Sequence, residues 1–480
     1  MNLKKILGNS VVIYLSSRYL TYFIQFVTSL VIAAKLGPYH FGIWGFILLL
    51  LNYFQQCHFG IYNSMNVLYV QHREDVAKAN GYLVNSLMLE CWLALFVVAL
   101  YAVYRLTGID AFGKYNADKY LLWVCCIGIL QYFSNLFINV FRVKNHLILV
   151  AFCQSIVVLL TFVCIFIFTG EALIRALVFA YLAGNLAIVI LALATRVVEF
   201  KGAAVSGSVQ KEILRKGILL FLYNTGFYFI IISIRTVISG NYEVEEFGQF
   251  TFSFSLAHAV MLLLESLTFM IFPKVIGKLS SDNYEEVEST LKKYRALYVT
   301  TAHGLIYFAL PLFPLVLHFF PKYAMCQVSL NLIALTILMD TSRSGYTELL
   351  IAHNKEKVLS VVTLIALAVN IALALILVKV VQCPFSYVIL AAMVTYVFFS
   401  AMVAFQGTRL IGGKQGNLLL QVFPPRLFIP FLAALVLAVF ELEYLLFIPF
   451  LLFLLLNFRY CKEILRQAGR ILAKPKIVNL

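Results

Sequence analysis

The chain has 480 residues, of which 62% are hydrophobic and 12% are charged, and its formal net charge is +15. A soluble domain keeps about a quarter of its residues charged, so this composition excludes a soluble globular protein. The apolar stretches repeatedly reach the roughly 20 residues with which a helix crosses a bilayer core of about 30 Å. They are continuous rather than alternating, which excludes a transmembrane β-barrel. The composition therefore predicts an all-α, polytopic membrane protein.

About fourteen spans are predicted along the chain. In chain order they cover residues 11–34, 41–69, 82–106, 119–141, 147–169, 173–194, 218–239, 247–272, 297–319, 328–351, 359–380, 386–406, 427–440 and 444–458. The last two are short, so we expect a helical hairpin that packs against the other helices. The basic segment 195–217 contains Gly and Ser residues and is the natural linker between two groups of six helices. The predicted domains are 1–205, 206–406 and 407–480, the last comprising two helices and a basic tail.

The distribution of basic residues predicts the membrane face of each loop, because Lys and Arg are retained on the cytoplasmic side during insertion. The N-terminus, every second loop and the tail together hold 27 of them. The remaining loops hold about 5, namely Lys35, Lys114, Lys119, Lys322 and Lys379. Both termini are therefore expected to face the cytoplasm. No compact small-residue cleavage site follows the basic N-terminus, so a cleaved signal peptide is not expected.

A weak internal repeat relates the first span to the seventh. The pattern Phe41-Gly42-x-Trp44-x-Phe46 falls on Phe247-Gly248-x-Phe250-x-Phe252 at an offset of 206 residues. Each copy follows a predicted outer loop and opens the next span. Two six-helix halves in the same orientation are typical of alternating-access transporters, which bind their substrate between the halves.

Four segments carry a resemblance to a known family: LGPYHFGIWGF, EVEEFGQFTF, FPKVIGKLSSDNYEEVESTLKKY and LPLFPLVLHFFPKYA. They resemble recurring segments of the polysaccharide-exporter branch of the multidrug/oligosaccharidyl-lipid/polysaccharide (MOP) superfamily, and within it the Wzx-type flippases of bacterial O-antigen and capsule assembly. The resemblance covers residues 5–456. It implies a MATE-like, V-shaped pair of pseudo-symmetric lobes in the bacterial inner membrane. It also implies transport of an undecaprenyl-diphosphate-linked oligosaccharide from the cytoplasmic to the outer leaflet.

Three of the arginines within predicted spans are candidates for a functional role, since a charged side chain in a span costs about 2.5–3.5 kcal/mol. Arg18 lies on a polar face of the first span, Arg235 in its counterpart, the seventh, and Arg343 in the tenth. Together with the resemblance, they imply a cationic cavity for the diphosphate, since an arginine fork matches phosphate oxygens in pairs. The alternatives are that Arg18 extends to the cytoplasmic headgroups or bonds a neighbouring helix, that Arg235 is an anchor at the outer membrane edge, and that Arg343 pairs with Asp340.

Uncharged polar residues recur at helical spacing on several spans. Amides suit sugar hydroxyls because they both donate and accept hydrogen bonds, although they also join helices to one another in membranes. The candidates for the substrate path are Gln25, Asn52, Gln55, Asn63, Asn135 and Asn224. The candidates for coupling to H⁺ or Na⁺ are the intramembrane groups Glu90, Glu265, His258 and Asp340. A packed, hydrogen-bonded ring is the alternative for His258. The nine cysteines are scattered, so neither a metal site nor another cofactor is predicted.

Other functions remain open at this stage. A cation-coupled multidrug exporter of the same architecture is expected to have an acid-rich cavity, and a peptidoglycan lipid flippase would suit a cationic one. A membrane glycosyltransferase or polymerase of the same pathway needs a sizeable outer loop, and no paired carboxylates occur in these short loops. No phosphate-binding GxxxxGK[ST] loop is present, so the sequence favours a transporter over an enzyme. The expected partners are the lipid-linked substrate, membrane lipids and assembly proteins of the pathway, not nucleic acid.

Overall fold

The computed structural model of the protein describes residues 10–108, 112–197, 203–281, 283–412 and 417–473. Within these ranges the regular structure is helical and contains no β-strand, which confirms the predicted all-α class. The α-helices, in chain order, are α1 (Ser10–Gln56), α2 (Ile61–Gln71), α3 (Val76–Thr107), α4 (Asp118–Val143), α5 (Leu147–Ile167), α6 (Gly170–Ala194), α7 (Gly207–Asn241), α8 (Val244–Leu279), α9 (Tyr284–Ala309), α10 (Phe313–His318), α11 (Gln327–Thr341), α12 (Tyr346–Ala352), α13 (Glu356–Lys379), α14 (Leu390–Leu410), α15 (Leu418–Val422), α16 (Pro425–Val439) and α17 (Ile448–Ala473). Single 3-10 turns connect several of them.

Eleven helical segments of the described ranges are long and apolar enough to cross a membrane. The first, Ser16–Gln71, has 56 residues and covers most of the first predicted span and all of the second. Pro425–Val439 is a shorter apolar helix at the thirteenth predicted span. The eighth predicted span lies in α8, of which the side chains of 263–274 lie outside the described part of the chain. The helices therefore agree with the predicted polytopic membrane fold.

The chain forms two compact units. The first unit is Met1–Thr225 together with Glu243–Gly248, and the second unit is Gly226–Tyr242 together with Gln249–Leu480. In the first unit, α1 packs along α5 and α4 packs against α6. In the second unit, α13 packs against α14, and the C-terminal helices α16 and α17 pack together as a hairpin with α17 along α9.

The two copies of the aromatic–glycine repeat contact each other in the first unit. Helix α1 bends at Gly37, which has a φ of 67° and is followed by Pro38. Further along the helix, Gly42 faces the start of α8. A Cβ atom on Gly42 would collide with the carbonyl group of Val244, and one on Gly248 would collide with the carbonyl oxygen of Pro38. Both pairs are related by the offset of 206 residues. The repeat is therefore a reciprocal helix crossing at which only glycine lets the backbones approach so closely.

An aromatic stack follows the first copy of the repeat. The Phe46 ring lies parallel to the Tyr115 ring, with 4.1 Å between centroids and 8° between planes. Phe112 packs against the same Phe46 ring at 5.9 Å. Tyr115 is only 3% exposed. The 3-10 turn Gly113–Tyr115 thus anchors the connection between α3 and α4 to α1.

An equivalent stack follows the second copy, within the second unit. The centroid of the Phe252 ring lies 4.3 Å from that of the Tyr323 ring. Phe320 packs against the Phe252 ring, with 5.4 Å between centroids. A second repeated motif therefore accompanies the first one, with an offset of 208 residues: Phe112-x-Lys114-Tyr115 and Phe320-x-Lys322-Tyr323. This motif could not be predicted from hydropathy, because it lies in short turns outside the spans.

Candidate functional site

An arginine–carboxylate pair lies at a break between two helices of the second unit. Helix α11 ends at Thr341 and α12 begins at Tyr346. In the turn between them, the Arg343 Nε atom donates a hydrogen bond of 2.8 Å to Asp340 Oδ1. The guanidinium also lies 3.8 Å above the centre of the Phe227 ring. The Arg343 and Asp340 side chains keep 21% and 30% exposure, so the pair is partly open to its surroundings.

The helix break has a local cause. Gly345 has a φ of 91°, which an L-amino acid with a side chain adopts only with strain. The Glu348 carboxylate accepts a hydrogen bond of 2.6 Å from the Gly345 amide and so caps α12. The tenth predicted span, 328–351, is therefore two helices rather than one, and the turn presents Arg343 and Asp340 at its corner.

A second arginine of the same unit rests on an aromatic ring. Arg235 in α7 is 5% exposed, and its guanidinium lies 5.5 Å from the centre of the Phe254 ring. The His258 ring lies 4.0 Å from the same Phe254 ring, and its Nδ1 atom is 3.1 Å from the Phe254 carbonyl oxygen. A face of an aromatic ring attracts a cation without neutralising its charge.

Four of the predicted site residues lie in these two groups of contacts, Asp340 and Arg343 at the helix break and Arg235 and His258 beside Phe254. Asp340 and Arg235 both lie within electrostatic range of the His258 ring. We name this the charge cluster, and it comprises Arg235, His258, Asp340 and Arg343 with the rings of Phe227 and Phe254. Asp340 and Arg343 form the ion pair that the sequence analysis gave as their alternative, and His258 has the packed, hydrogen-bonded ring given as its alternative.

In the first unit, Arg18 contacts a ring of its own helix. It donates a hydrogen bond to the Tyr22 hydroxyl, and its guanidinium lies 4.7 Å from the centre of that ring. Within the described residues, no ion pair involves Arg18. The predicted polar face is not uniform: Thr21 is buried and its hydroxyl lies 2.7 Å from the Ser155 hydroxyl, whereas Gln25 is exposed. Arg18 and Gln25 therefore lie on the more accessible part of this face.

The remaining amides have open hydrogen-bonding capacity. Gln55 and Asn224 are exposed, and Asn52, Asn63 and Asn135 are half-buried. Among the described residues, the structure records no hydrogen bond to any of these five side chains. Other amides of the same helices do join helices together. The Asn66 amide donates a 2.8 Å hydrogen bond to Asn139 Oδ1, which also accepts one of 2.6 Å from Arg142.

Glu90 is a fully buried carboxylate of the first unit. It is 0% exposed in α3, and neither of its carboxylate oxygens has a hydrogen-bond partner among the described residues. Its side chain lies within electrostatic range of the Tyr132 hydroxyl of α4. Burying a carboxylate without hydrogen-bond partners costs free energy. The Glu265 side chain lies outside the described part of the chain.

A buried arginine of the second unit, Arg295, was not among the predicted site residues. Arg295 was assigned to a loop, but α9 begins at Tyr284, where Asn283 caps its first turn. The Arg295 guanidinium donates hydrogen bonds to the carbonyl oxygens of Ser342 at 2.7 Å and Ser344 at 2.6 Å. It therefore holds the helix break of the charge cluster. The signal was available in the sequence as Asn283 followed by two glutamates, which is typical of a helix start.

The family comparison matches the N-terminal half of the chain. The model of a family described as "polysaccharide biosynthesis protein" matches residues 7–252. This segment contains Arg18, the unpartnered Glu90 and both copies of the aromatic–glycine repeat. No curated protein matches the chain.

Solved structures match over most of the chain. The lipid II flippase MurJ in an inward closed conformation aligns with a TM-score of 0.68 at 14% identity, covering 95% of this chain and 99% of that one. An inward-facing multidrug resistance MATE family transporter of the MOP superfamily aligns with a TM-score of 0.64 at 12% identity, covering 82% and 94%. An outward-facing MATE transporter of the same superfamily gives 0.57 at 14% identity, covering 85% and 95%. At these identities the likeness shows that the chain has the MATE- and MurJ-like fold.

Proposed function

Because the chain belongs to the polysaccharide biosynthesis protein family, we propose that it is a flippase for undecaprenyl-diphosphate-linked oligosaccharides. The cargo is an O-antigen or capsule repeat unit, which moves from the cytoplasmic to the outer leaflet of the bacterial inner membrane by alternating access. Both termini face the cytoplasm, as the distribution of basic residues indicates. The family and the fold support this class of function, and the side chains support the substrate.

The observation that carries the proposal is the state of the intramembrane arginines. Arg18 has no carboxylate partner within the described residues, and its guanidinium lies beside the Tyr22 ring. Holding a guanidinium in a membrane span costs free energy that an aromatic contact recovers only in part. A passing diphosphate provides a counter-charge for Arg18 and accepts its paired N–H groups. Arg235, buried against Phe254, is the second cationic residue of the proposed path.

The unpartnered amides support the oligosaccharide part of the cargo. Asn52, Gln55, Asn63, Asn135 and Asn224 present both donors and acceptors at exposed or half-buried positions. Sugar hydroxyls require the same combination. A path with several such groups binds many sugars weakly rather than one sugar tightly, which suits a carrier that must release its cargo.

The test is leaflet exchange in proteoliposomes that contain undecaprenyl-diphosphate-linked oligosaccharide. Arg18→Gln removes the charge, Arg18→Lys keeps it without the fork, and Arg105→Gln is the control at an exposed position of α3. Loss of a charge-assisted contact is expected to slow exchange roughly tenfold or more in Arg18→Gln. Arg18→Lys should fall between this variant and the wild type, and Arg105→Gln should match the wild type. Equal exchange by Arg18→Gln and Arg105→Gln would remove Arg18 from the path.

A second candidate function is cation-coupled export of multidrug type, favoured by the buried Glu90. A carboxylate without hydrogen-bond partners can bind a proton or Na⁺ and change the free energy of one transporter state. Coupling through Glu90 is also compatible with the flippase proposal. Glu90→Gln imitates the protonated form, so it should abolish the dependence of transport on a H⁺ or Na⁺ gradient if Glu90 is the coupling site. Cargo then separates the two functions, because an exporter takes up cationic dyes and a flippase does not.

A peptidoglycan lipid flippase is a variant of the same proposal. One of the matched structures is a lipid II flippase, and a cationic site for a diphosphate would serve that cargo as well. Competition between lipid II and an undecaprenyl-diphosphate-linked O-antigen unit in the exchange assay distinguishes the two cargoes. We expect the O-antigen unit to exchange faster, because the family is one of polysaccharide biosynthesis.

A further inference from the structure

A large cavity lies in the second unit, apart from the charge cluster. Its volume is about 1080 Å³. Its walls come from the first turns of α9, the end of α14, the segment around α15, the start of α16 and the second half of α17. None of the proposed substrate-path residues lines it. The cavity therefore needs an explanation of its own, independent of the proposed transport function.

The cavity wall is basic. Four cationic residues line it, Lys292, Lys293, Arg295 and Arg426, against the two carboxylates of Glu288 and Glu463.

Two of these four cations are already engaged by the protein. Lys292 pairs with Glu288 at 2.6 Å, and Arg295 donates to backbone carbonyl groups. The cationic groups that face the cavity with capacity to spare are thus Lys293, which is exposed, and Arg426.

Arg426 is held in one orientation. Its guanidinium lies 3.8 Å above the centre of the Tyr460 ring. The Nη1 atom donates hydrogen bonds to Thr300 Oγ1 at 3.1 Å and to Asn457 Oδ1 at 2.5 Å. Asn457 in turn donates to the Arg426 carbonyl oxygen at 2.9 Å, at a position where α17 departs from helical geometry. Within the described residues, the structure records no hydrogen bond from Nη2 or Nε. A fixed guanidinium with two remaining N–H directions is suited to two oxygens of one phosphate.

The rest of the wall is apolar and fits a lipid rather than a free anion. Leu291, Leu297, Leu420 and Leu427 line the same cavity, and its volume greatly exceeds that of a phosphate ion. The cavity also lies at the basic end of the second unit, which the loop charges assign to the cytoplasmic face. Basic pockets between membrane helices on this face bind the headgroups of anionic lipids.

We propose that this cavity binds the phosphate headgroup of an anionic membrane phospholipid, with Arg426 and Lys293 on the phosphate and the leucines around the glycerol and the first acyl carbons. The bound lipid joins α9 to the C-terminal hairpin of α16 and α17. It is a resident lipid and not the transported cargo. Lipid binding in this cavity can therefore be tested independently of transport.

The test is lipid binding to the purified, delipidated full chain, measured by native mass spectrometry. Phosphatidylglycerol is the anionic probe, phosphatidylcholine the neutral control, and inorganic phosphate the free-anion control. Lys293→Gln removes one exposed charge without disturbing packing, and Arg426→Lys keeps the charge but loses the fork. Lys357→Gln is the matched control, an exposed lysine near the N-terminus of α13 that does not line the cavity.

We expect phosphatidylglycerol to bind roughly tenfold more tightly than phosphatidylcholine, and Lys293→Gln and Arg426→Lys each to lose several-fold in that affinity. Lys357→Gln should retain the affinity of the wild type. Equal binding of the two phospholipids, or an unchanged affinity in Lys293→Gln, would overturn the proposal. Equally tight binding of inorganic phosphate alone would also overturn it and make the cavity a site for free anions.

Discussion

The glycine crossing between α1 and the start of α8 makes a quantitative expectation possible. In Gly248→Ala, the new Cβ would collide with the Pro38 carbonyl oxygen and would lie 2.8 Å from the Gly42 amide nitrogen. Carbon atoms in ordinary contact are about 3.5–4.0 Å apart. The obstacle is backbone on both sides, so no side chain can rotate away. The helices must therefore separate by about an ångström at this point.

Such overpacking typically costs about 1–3 kcal/mol. The intrinsic preference of alanine for a helix acts in the opposite direction by up to about 1 kcal/mol. Gly277 provides the matched control, because it lies in the same helix and a Cβ there meets nothing within 4 Å. Gly277→Ala should therefore be neutral or stabilising. Gly248→Ala should be less stable than this control by about 1–3 kcal/mol.

Thermal unfolding of the purified variants in one detergent measures this difference. Gly42→Ala should lower the midpoint about as much as Gly248→Ala, since the two positions are equivalent in the repeat. The double variant should lower it by less than the sum, because one separation of the helices relieves both clashes. A Gly248→Ala variant as stable as Gly277→Ala, or strictly additive effects, would refute the reasoning.

Three further expectations concern the second unit. Arg343→Ala should destabilise the protein by about 1–2 kcal/mol, because it leaves the half-buried Asp340 without its counter-charge. Adding Asp340→Asn should recover part of that loss, and an additive double-mutant cycle would contradict the pairing. Arg295→Leu should unfold at a clearly lower temperature than Arg295→Lys, because each carbonyl group left unsatisfied costs about 1–3 kcal/mol; equal melting of the two variants would contradict this. In intact cells, an impermeant maleimide should label a cysteine at Lys322 but not one at Lys355, and the reverse pattern would invert the proposed topology.

Much of the fold could be predicted because membrane helices satisfy their own backbone and leave long apolar runs. The break between α11 and α12 could not, since no proline marks it and the polar residues of 340–348 are equally compatible with one polar face of a continuous helix. It depends on the φ of Gly345 and on Arg295, which lies 50 positions earlier in the chain. The start of a helix also differs from the prediction where its first turns lie outside the apolar stretch. Helix α9 begins at Tyr284 rather than at the predicted 297, because its first turns are polar and carry no membrane signal.

The candidate site was predictable only in part. The spacing of Asp340 and Arg343 predicts an ion pair on one helical face, and the structure shows that pair. The contacts of Arg235 with Phe254 and of Arg343 with Phe227 could not be predicted, since the chain contains 42 phenylalanines and no local pattern selects these two. The hydrogen-bonding state of Glu90 depends on the helices around it. The sequence therefore places Glu90 in a span but does not show that its carboxylate lacks hydrogen-bond partners among the described residues.

The central claim is that the cargo is a diphosphate-linked oligosaccharide lipid, and one comparison tests it most directly. Wild-type protein is reconstituted into liposomes, and the exchange of undecaprenyl-diphosphate-linked oligosaccharide between leaflets is measured beside the uptake of a cationic dye. We expect rapid exchange of the lipid-linked oligosaccharide, above that of protein-free liposomes, and no dye uptake. Dye uptake driven by an ion gradient without lipid exchange would contradict the account and assign the protein to multidrug export.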